Sequence, residues 1–343
     1  MNAKARVKAI LNREPVNRLP VDIWYTPEIG QQLRAYFGVQ EDSDWYRILD
    51  LDKLVWIAAV YPEPAGRTLW GSPYKQQAAG DAVYLEIDAP GLRGYDSIQS
   101  LDDYPFWPDS QRYDYAKMTE QAKAASQRYA TLGPWISLFE VYCQLRGLEQ
   151  AMMDIAMEPD YVQAVLDRIE HRQTQMLRQF LDKAAAFVDL VFISDDMGSQ
   201  QNLMLSLPMW DMFFKDRLKR WCEVIHSYGV KVFFHSDGAI EPLIPRLIEA
   251  GVDVLNPIQH ICPGMDRSEL KAKYGRQLIF HGGVENQSIL PFGTPDQVRS
   301  ETLECLKTLG RGREGYICCS CHNIQAGTPV ENIVAMIETV RQF

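Results

Sequence analysis

The chain has 343 residues, 46% hydrophobic and 23% charged, an ordinary globular composition with enough apolar material for a sizeable core. Lys and Arg number 35 against 45 Asp and Glu, a formal net charge of −10, and there is no basic run; this argues against nucleic acid or an anionic membrane as main partner. Residues 1–15 are charged with no apolar stretch of signal-peptide length, and no later run reaches the roughly 18 apolar residues of a membrane span, so a cytoplasmic protein is expected.

In chain order, the first short apolar runs are 19–23 and 53–58. Residues 61–108 then change character: they are rich in Gly, Pro, Asp and Tyr, with alternating pieces such as Ala82-Val83-Tyr84-Leu85-Glu86-Ile87, and read as an inserted antiparallel hairpin after the second strand. Beyond residue 128, β-branched and apolar runs at 131–138, 190–193, 230–234, 252–255, 278–281 and 315–319 alternate with stretches of helical period, including 209–228, 240–249, 294–309 and 330–342. Pro208 and Gly229 punctuate the first of those helices at start and stop. Eight strands separated by helices predict an α/β chain, 1–343, folded as a single (β/α)8 TIM barrel. No glycine fingerprint for a dinucleotide competes with that reading.

Catalytic groups of such a barrel come from the C-terminal ends of its strands. Those ends are polar here: Glu140 follows the third run, Asp195 and Asp196 the fourth, His235 and Asp237 the fifth. Gln259 and His260 follow the sixth, His281 and Glu285 close the seventh, and Cys321 and His322 the eighth. In His235-Ser236-Asp237-Gly238 an imidazole and a carboxylate stand two residues apart, so in extended chain both leave the same side. With a third ligand, His322 or Cys321, they would complete an open three-ligand zinc site or a two-histidine, one-carboxylate site. The alternative is that Asp237 caps a helix starting near Ala239 and His235 merely packs. Seven cysteines are too sparse for a disulfide framework, and Cys318-Cys319-Ser320-Cys321 lacks the second pair of a four-cysteine zinc site.

Several blocks carry a resemblance covering 6–340: Arg18-Leu19-Pro20-Val21, Gly133-Pro134, Ala250-Gly251-Val252-Asp253 with Asn256-Pro257, His281-Gly282-Gly283-Val284-Glu285, and Pro329-Val330-Glu331-Asn332-Ile333. The chain resembles the uroporphyrinogen decarboxylase superfamily. Decarboxylases of that superfamily hold their substrate with arginines after the first strand; here the place reads Asp22-Ile23-Trp24-Tyr25-Thr26-Pro27-Glu28, acidic and aromatic. A buried polycarboxylate without counter-charge costs several kcal/mol per group, which argues against a porphyrinogen substrate.

The resemblance is closer to the methyltransferase branch, the methylcobamide:coenzyme M methyltransferases and corrinoid-linked demethylases. These bind zinc through a His-x-Cys motif after the fifth strand and a cysteine after the eighth. The matching positions are His235, Asp237 and His322 or Cys321, with Glu285 as a further alternate. Carboxylate and imidazole in place of thiolates make a harder site, suited to polarising an oxygen or nitrogen leaving group.

What the resemblance implies is transfer of a methyl group between a small methoxylated or methylated molecule, or a thiol acceptor, and cobalt. No Asp-x-His-x-x-Gly cobalamin motif is present, so the corrinoid would come on a separate protein. Asp196, Glu140 and Gln259 would orient substrate or move protons, as would Glu285 if it is not a ligand. Trp24 and Tyr25 would stack on substrate, with His281 lining the site. Two other classes remain open: decarboxylation of a porphyrinogen-like or smaller acid, for which only Arg146 is well placed, and a catalytically idle barrel that binds a ligand.

Overall fold

A computed structural model describes residues 1–79 and 82–343. The strands are β1 (Leu54–Trp56), β2 (Tyr74–Ala79), β3 (Ala82–Ile87), β4 (Ala130–Ile136), β5 (Leu190–Ser194), β6 (Lys231–His235), β7 (Val254–Asn256), β8 (Ile279–His281) and β9 (Tyr316–Ile317). Seven form one parallel sheet in the order β1-β4-β5-β6-β7-β8-β9, while β2 and β3 pair antiparallel from Tyr74↔Ile87 to Ala79↔Ala82. β5 is buried along its whole length and β6 at every residue but Lys231. Strands buried on both faces, by interior side chains on one side and crossover helices on the other, read as unbroken apolar runs, and for that reason these two stand out in the sequence.

The expected strand at 19–23 is not a regular strand. Pro20 has no N–H to give a ladder, and the Asp22 carboxylate rather than a backbone carbonyl takes the Leu54 N–H. What remains is an isolated bridge of Val21 with Cys318, in which Asp22 N–H donates to Cys318 O and Cys318 N–H to Pro20 O, and one bond from Asp52 N–H to Val21 O on the other side. The segment thus hydrogen-bonds toward both edge strands of the sheet.

The expected helix at 209–228 is divided into Leu207–Trp210, a wider turn at Asp211–Lys215, and Asp216–Ser227. Pro208 stands in the first turn, as expected, and Ser206 caps the start by accepting the Met209 N–H. The helix Pro295–Thr308 opens on a reciprocal Thr294–Gln297 capping box, and the helix Val330–Gln342 lies where its periodicity places it. Among the described residues no helix is long and apolar enough to cross a membrane.

Register positions the site. Ser194 pairs with His235, and His235 with Asn256, so three adjacent strands end level. Ser194 and His235 stand two residues beyond Phe192 and Phe233 and so share the face on which those two rings pack together.

Candidate active site

His235 is the last residue of β6 and is 4% exposed. The chain after it is held in place by three bonds: Ser236 N–H to Asn256 O, Asp237 N–H to Asp196 Oδ1 at 2.9 Å, and Gly238 N–H to Gln259 Oε1 at 2.8 Å. Gly238 has φ +89°, and a Cβ there would lie 2.4 Å from Ser199 O, so only glycine lets the turn bring Asp237 back toward His235. Asp237 is not a helix cap, since the next helical turn, Glu241–Leu243, has Ile240 at its capping position.

From the other side of the sheet, Val284 N–H donates to Cys319 O and Cys321 N–H to Val284 O, which carries the chain past β9 and delivers His322. The potential ligand atoms of His235, Asp237 and His322 all lie within 4.8 Å of one another. His235 Nε2 is 4.0 Å from Asp237 Oδ1 and 3.7 Å from Asp196 Oδ1.

The charge pattern of this cluster is unbalanced. Burial, reinforced by Asp196, raises the Asp237 carboxyl above its ordinary value although His235 and His322 pull it down. Burial likewise lowers His322, helped by His235 and opposed by Asp237 and Asp196. Glu140 is pushed up to about 7 by desolvation and by the Asp195 and Asp196 charges, and accepts a hydrogen bond from the Ser194 hydroxyl, while one flank stays open to solvent. Among the described residues no Lys or Arg forms an ion pair with Glu140, Asp196 or Asp237. Two imidazoles and a carboxylate on a rigid strand-end frame, short of positive charge, fit a divalent metal ion.

The cluster borders a cavity of 830 Å³ whose lining includes Trp24, Tyr25, Trp56, Phe192, His235 and His322. Trp24 stacks on His235, with centroids 6.0 Å apart and planes at 30°, and meets Trp56 edge-on at 5.3 Å. Trp56 meets Phe192 edge-on at 4.5 Å. The Tyr25 hydroxyl is engaged by Asp42 and Tyr46, which makes that ring a fixed wall rather than a free polar group.

Other residues singled out from the sequence lie elsewhere. Arg146 does not face the cavity: its guanidinium pairs with Asp154 at 2.7 Å and Asp96 at 2.9 Å and lies over the Tyr161 ring. Glu285 turns its carboxylate onto the Ser288 hydroxyl and the backbone N–H groups of Ile289, Gln287 and Ser288, which hold it below the usual carboxylate range despite burial, so it orders its own turn. Cys321 is buried with its thiol on Ile258 O at 3.3 Å, and it is His322 that reaches His235 and Asp237. Gln259 acts through the Gly238 backbone. His281 is fully buried behind His235, in a second group with Asp22 and Cys319 whose counter-charge is already supplied by Lys53 at 3.0 Å from Asp22.

The sequence reading missed Lys53, Arg34, Trp56 and Phe192 in the lining, and Asn256 beneath His235. Both cations are spoken for, Lys53 by Asp22 and Arg34 by Asp42. Trp56 and Phe192 sit inside apolar runs, where nothing local separates a cavity wall from core.

A curled parallel sheet with ionisable groups gathered at its strand ends defines a TIM-barrel-like α/β enzyme. The chain belongs to the uroporphyrinogen decarboxylase (URO-D) family, which residues 91–343 match. It is 24% identical over 190 residues to the uroporphyrinogen decarboxylase of Crocosphaera subtropica, a match covering 52% of this chain and 51% of that one, so it spans about half the relative's length. The uroporphyrinogen decarboxylase of Coxiella burnetii is 21% identical, over 98% of this chain and 94% of its own. Among solved structures, a methyltransferase from Methanosarcina mazei superposes with TM-score 0.71 at 18% identity, covering 100% of this chain and 99% of that one, which shows a shared fold.

Proposed function

We propose that the protein is a corrinoid-dependent methyltransferase that moves a methyl group between a small methoxylated or methylated substrate, or a thiol acceptor, and the cobalt of a separate corrinoid protein. The observation that carries this reading is the convergence of His235, Asp237 and His322 at one end of an aromatic-walled cavity. Those three residues would hold zinc, which as a Lewis acid would polarise the oxygen or nitrogen that gives up the methyl group.

The protein's own groups supply the rest. Trp24 and Trp56 offer ring faces and edges to a planar or cationic substrate. Glu140, poised near neutrality, can hold a proton for the leaving group or receive one from the acceptor. Asp196 fixes the Asp237 backbone and so the direction of its carboxylate. The rim around residues 61–108, the helix Phe139–Arg146 and the loop after Asp196 would meet the corrinoid partner.

Decarboxylation of a porphyrinogen-like or smaller acid is the second reading, favoured by the names of the curated relatives and by Lys53 and Arg34 in the lining. The pairing of both cations with buried or half-buried aspartates weighs against it.

Metal analysis and methyl transfer test the proposal together. Purified wild type should contain close to one zinc, His235→Ala and His322→Ala should lose it, and cob(I)alamin with methoxylated aromatics or methylated amines should become methylcobalamin. Asp237→Ala should slow that conversion about a hundredfold or more, the scale of losing a main electrostatic contributor. An active wild type free of metal, or an Asp237→Ala protein with full rate and full metal, ends the proposal.

A further inference from the structure

We propose that Asp22, His281 and Asn256 form a hydrogen-bond chain that fixes the tautomer of His235, keeping its Nδ1 protonated and its Nε2 bare toward Asp237 and His322. The value of a bare Nε2 rests on the reading of His235 as a metal ligand; the chain itself rests on bond polarity alone.

Asp22 is the anchor. It is fully buried, and both carboxylate oxygens are filled: Oδ1 by the Lys53 ammonium at 3.0 Å and the Leu54 N–H at 3.1 Å, Oδ2 by the Trp24 indole N–H at 2.9 Å and by His281 Nε2 at 3.1 Å. Burial opposes ionisation here, but Lys53 and His281 outweigh it and hold the carboxyl below its usual value. An ionised carboxylate only accepts, so His281 Nε2 carries a proton. Burial also disfavours the charged form of His281, so its Nδ1 presents a lone pair.

Asn256 then has one admissible orientation. Its side-chain nitrogen lies 2.8 Å from His281 Nδ1 and 3.3 Å from the His281 carbonyl oxygen, two acceptors that only an amide N–H can satisfy. The amide oxygen is therefore turned to His235 Nδ1, 2.6 Å away, and it accepts the proton that this nitrogen must carry. The one ring nitrogen left free is Nε2, the atom that faces the Asp196 and Asp237 carboxylates. Polarity set by a buried carboxylate is passed across the ends of three neighbouring strands, β8, β7 and β6, to the edge of the cavity. Partners that fix a ligand histidine's tautomer in this way are worth about 10–100-fold in metal affinity.

Six histidines in the chain make a histidine-labelled ¹⁵N spectrum tractable. In full-length protein stripped of metal, at a pH where histidine is neutral, His235 should show a protonated Nδ1 and an unprotonated Nε2; a protonated Nε2 overturns the proposal. Asn256→Leu removes the link and leaves the Asp22–Lys53 pair in place. It should mix the His235 tautomers and weaken zinc binding, measured by chelator competition with zinc alone, by about 10–100-fold. Asn256→Asp keeps an acceptor for His235 Nδ1 and should hold its tautomer, while its second carboxylate oxygen, set against His281 Nδ1 in place of the lost amide N–H, should draw a proton onto that nitrogen. An Asn256→Leu protein whose His235 tautomer and zinc affinity match wild type refutes the chain. A wild type with the stated tautomer that binds no zinc upholds the chain and sinks the metal reading instead.

Discussion

Glu140 carries a carboxyl group whose ionisation is pushed into the physiological range. Its carboxyl, ordinarily near 4.5, is pushed up to about 7 by desolvation and two neighbouring aspartates, so the folded protein keeps the proton while pH rises through the range where a free glutamate would lose it. As a proton donor it would work below about pH 7 and fail above. The expected outcome is a wild-type rate falling as pH rises through about 7, and a Glu140→Gln variant slower by about 10²- to 10⁴-fold that lacks this limb. A Glu140→Gln enzyme with the same rate and the same limb would remove the residue from the chemistry. Because one flank of Glu140 is wet, no matching change in stability is predicted.

At the scale of elements, Asp195 joins β5 to the helix Phe139–Arg146. Its buried carboxylate accepts the Ser137 hydroxyl at 2.6 Å and the N–H groups of Leu138, Phe139 and Glu140, capping that helix from the next strand. Desolvation still exceeds these bonds and raises the carboxyl from 3.8 to about 6. With the folded value raised, the stability this group contributes is present below about pH 4 and lost as pH rises to about 6, by on the order of 2–3 kcal/mol. Denaturant titrations at pH 4 and pH 7 should show that slope in wild type and its loss in Asp195→Asn. At pH 4, where Asp195 is itself uncharged and the Asn amide oxygen can accept the same four bonds made to Oδ1, the two proteins should differ by less than about 1 kcal/mol.

Legibility follows the same divide between local and register-made features. The strands β4 to β9, the helix Val330–Gln342 and the His235-x-Asp237 pair were visible because each depends on local period or spacing. The shared position of Asn256, His281 and Asp22 beneath His235 was not, because it arises from the stagger of strands far apart in sequence. Glu285 and Arg146 were misplaced for a related reason: a strand-end or loop residue can turn its side chain onto its own backbone or a neighbouring helix, and nothing local records which. The segment 19–23 misled through hydrophobicity alone, which cannot count the N–H that Pro20 lacks.

For the whole molecule, the cavity's charge sets the substrates it can admit. Lys53 and Arg34 are neutralised by Asp22 and Asp42, so among the described residues a porphyrinogen bearing many carboxylates meets no free cation in the lining. Incubation with uroporphyrinogen should leave it unchanged; less carboxylated products at enzyme-like rates would promote the second reading. Methyl transfer, by contrast, should require added cobalamin or a corrinoid protein.

The division of the site between β6 and the end of β9 also bears on how the molecule assembles. Two strand–helix steps, through β7 and β8, separate Asp237 from His322, so a folding chain that has docked β6 but not β9 owns two donors and no third. Contacts of such high sequence separation form late. An ion bound there could not template collapse, as zinc does in small domains that are unfolded without it. It would act afterwards as a clasp on the last strand, lengthening the life of the native state while leaving the speed of refolding unchanged.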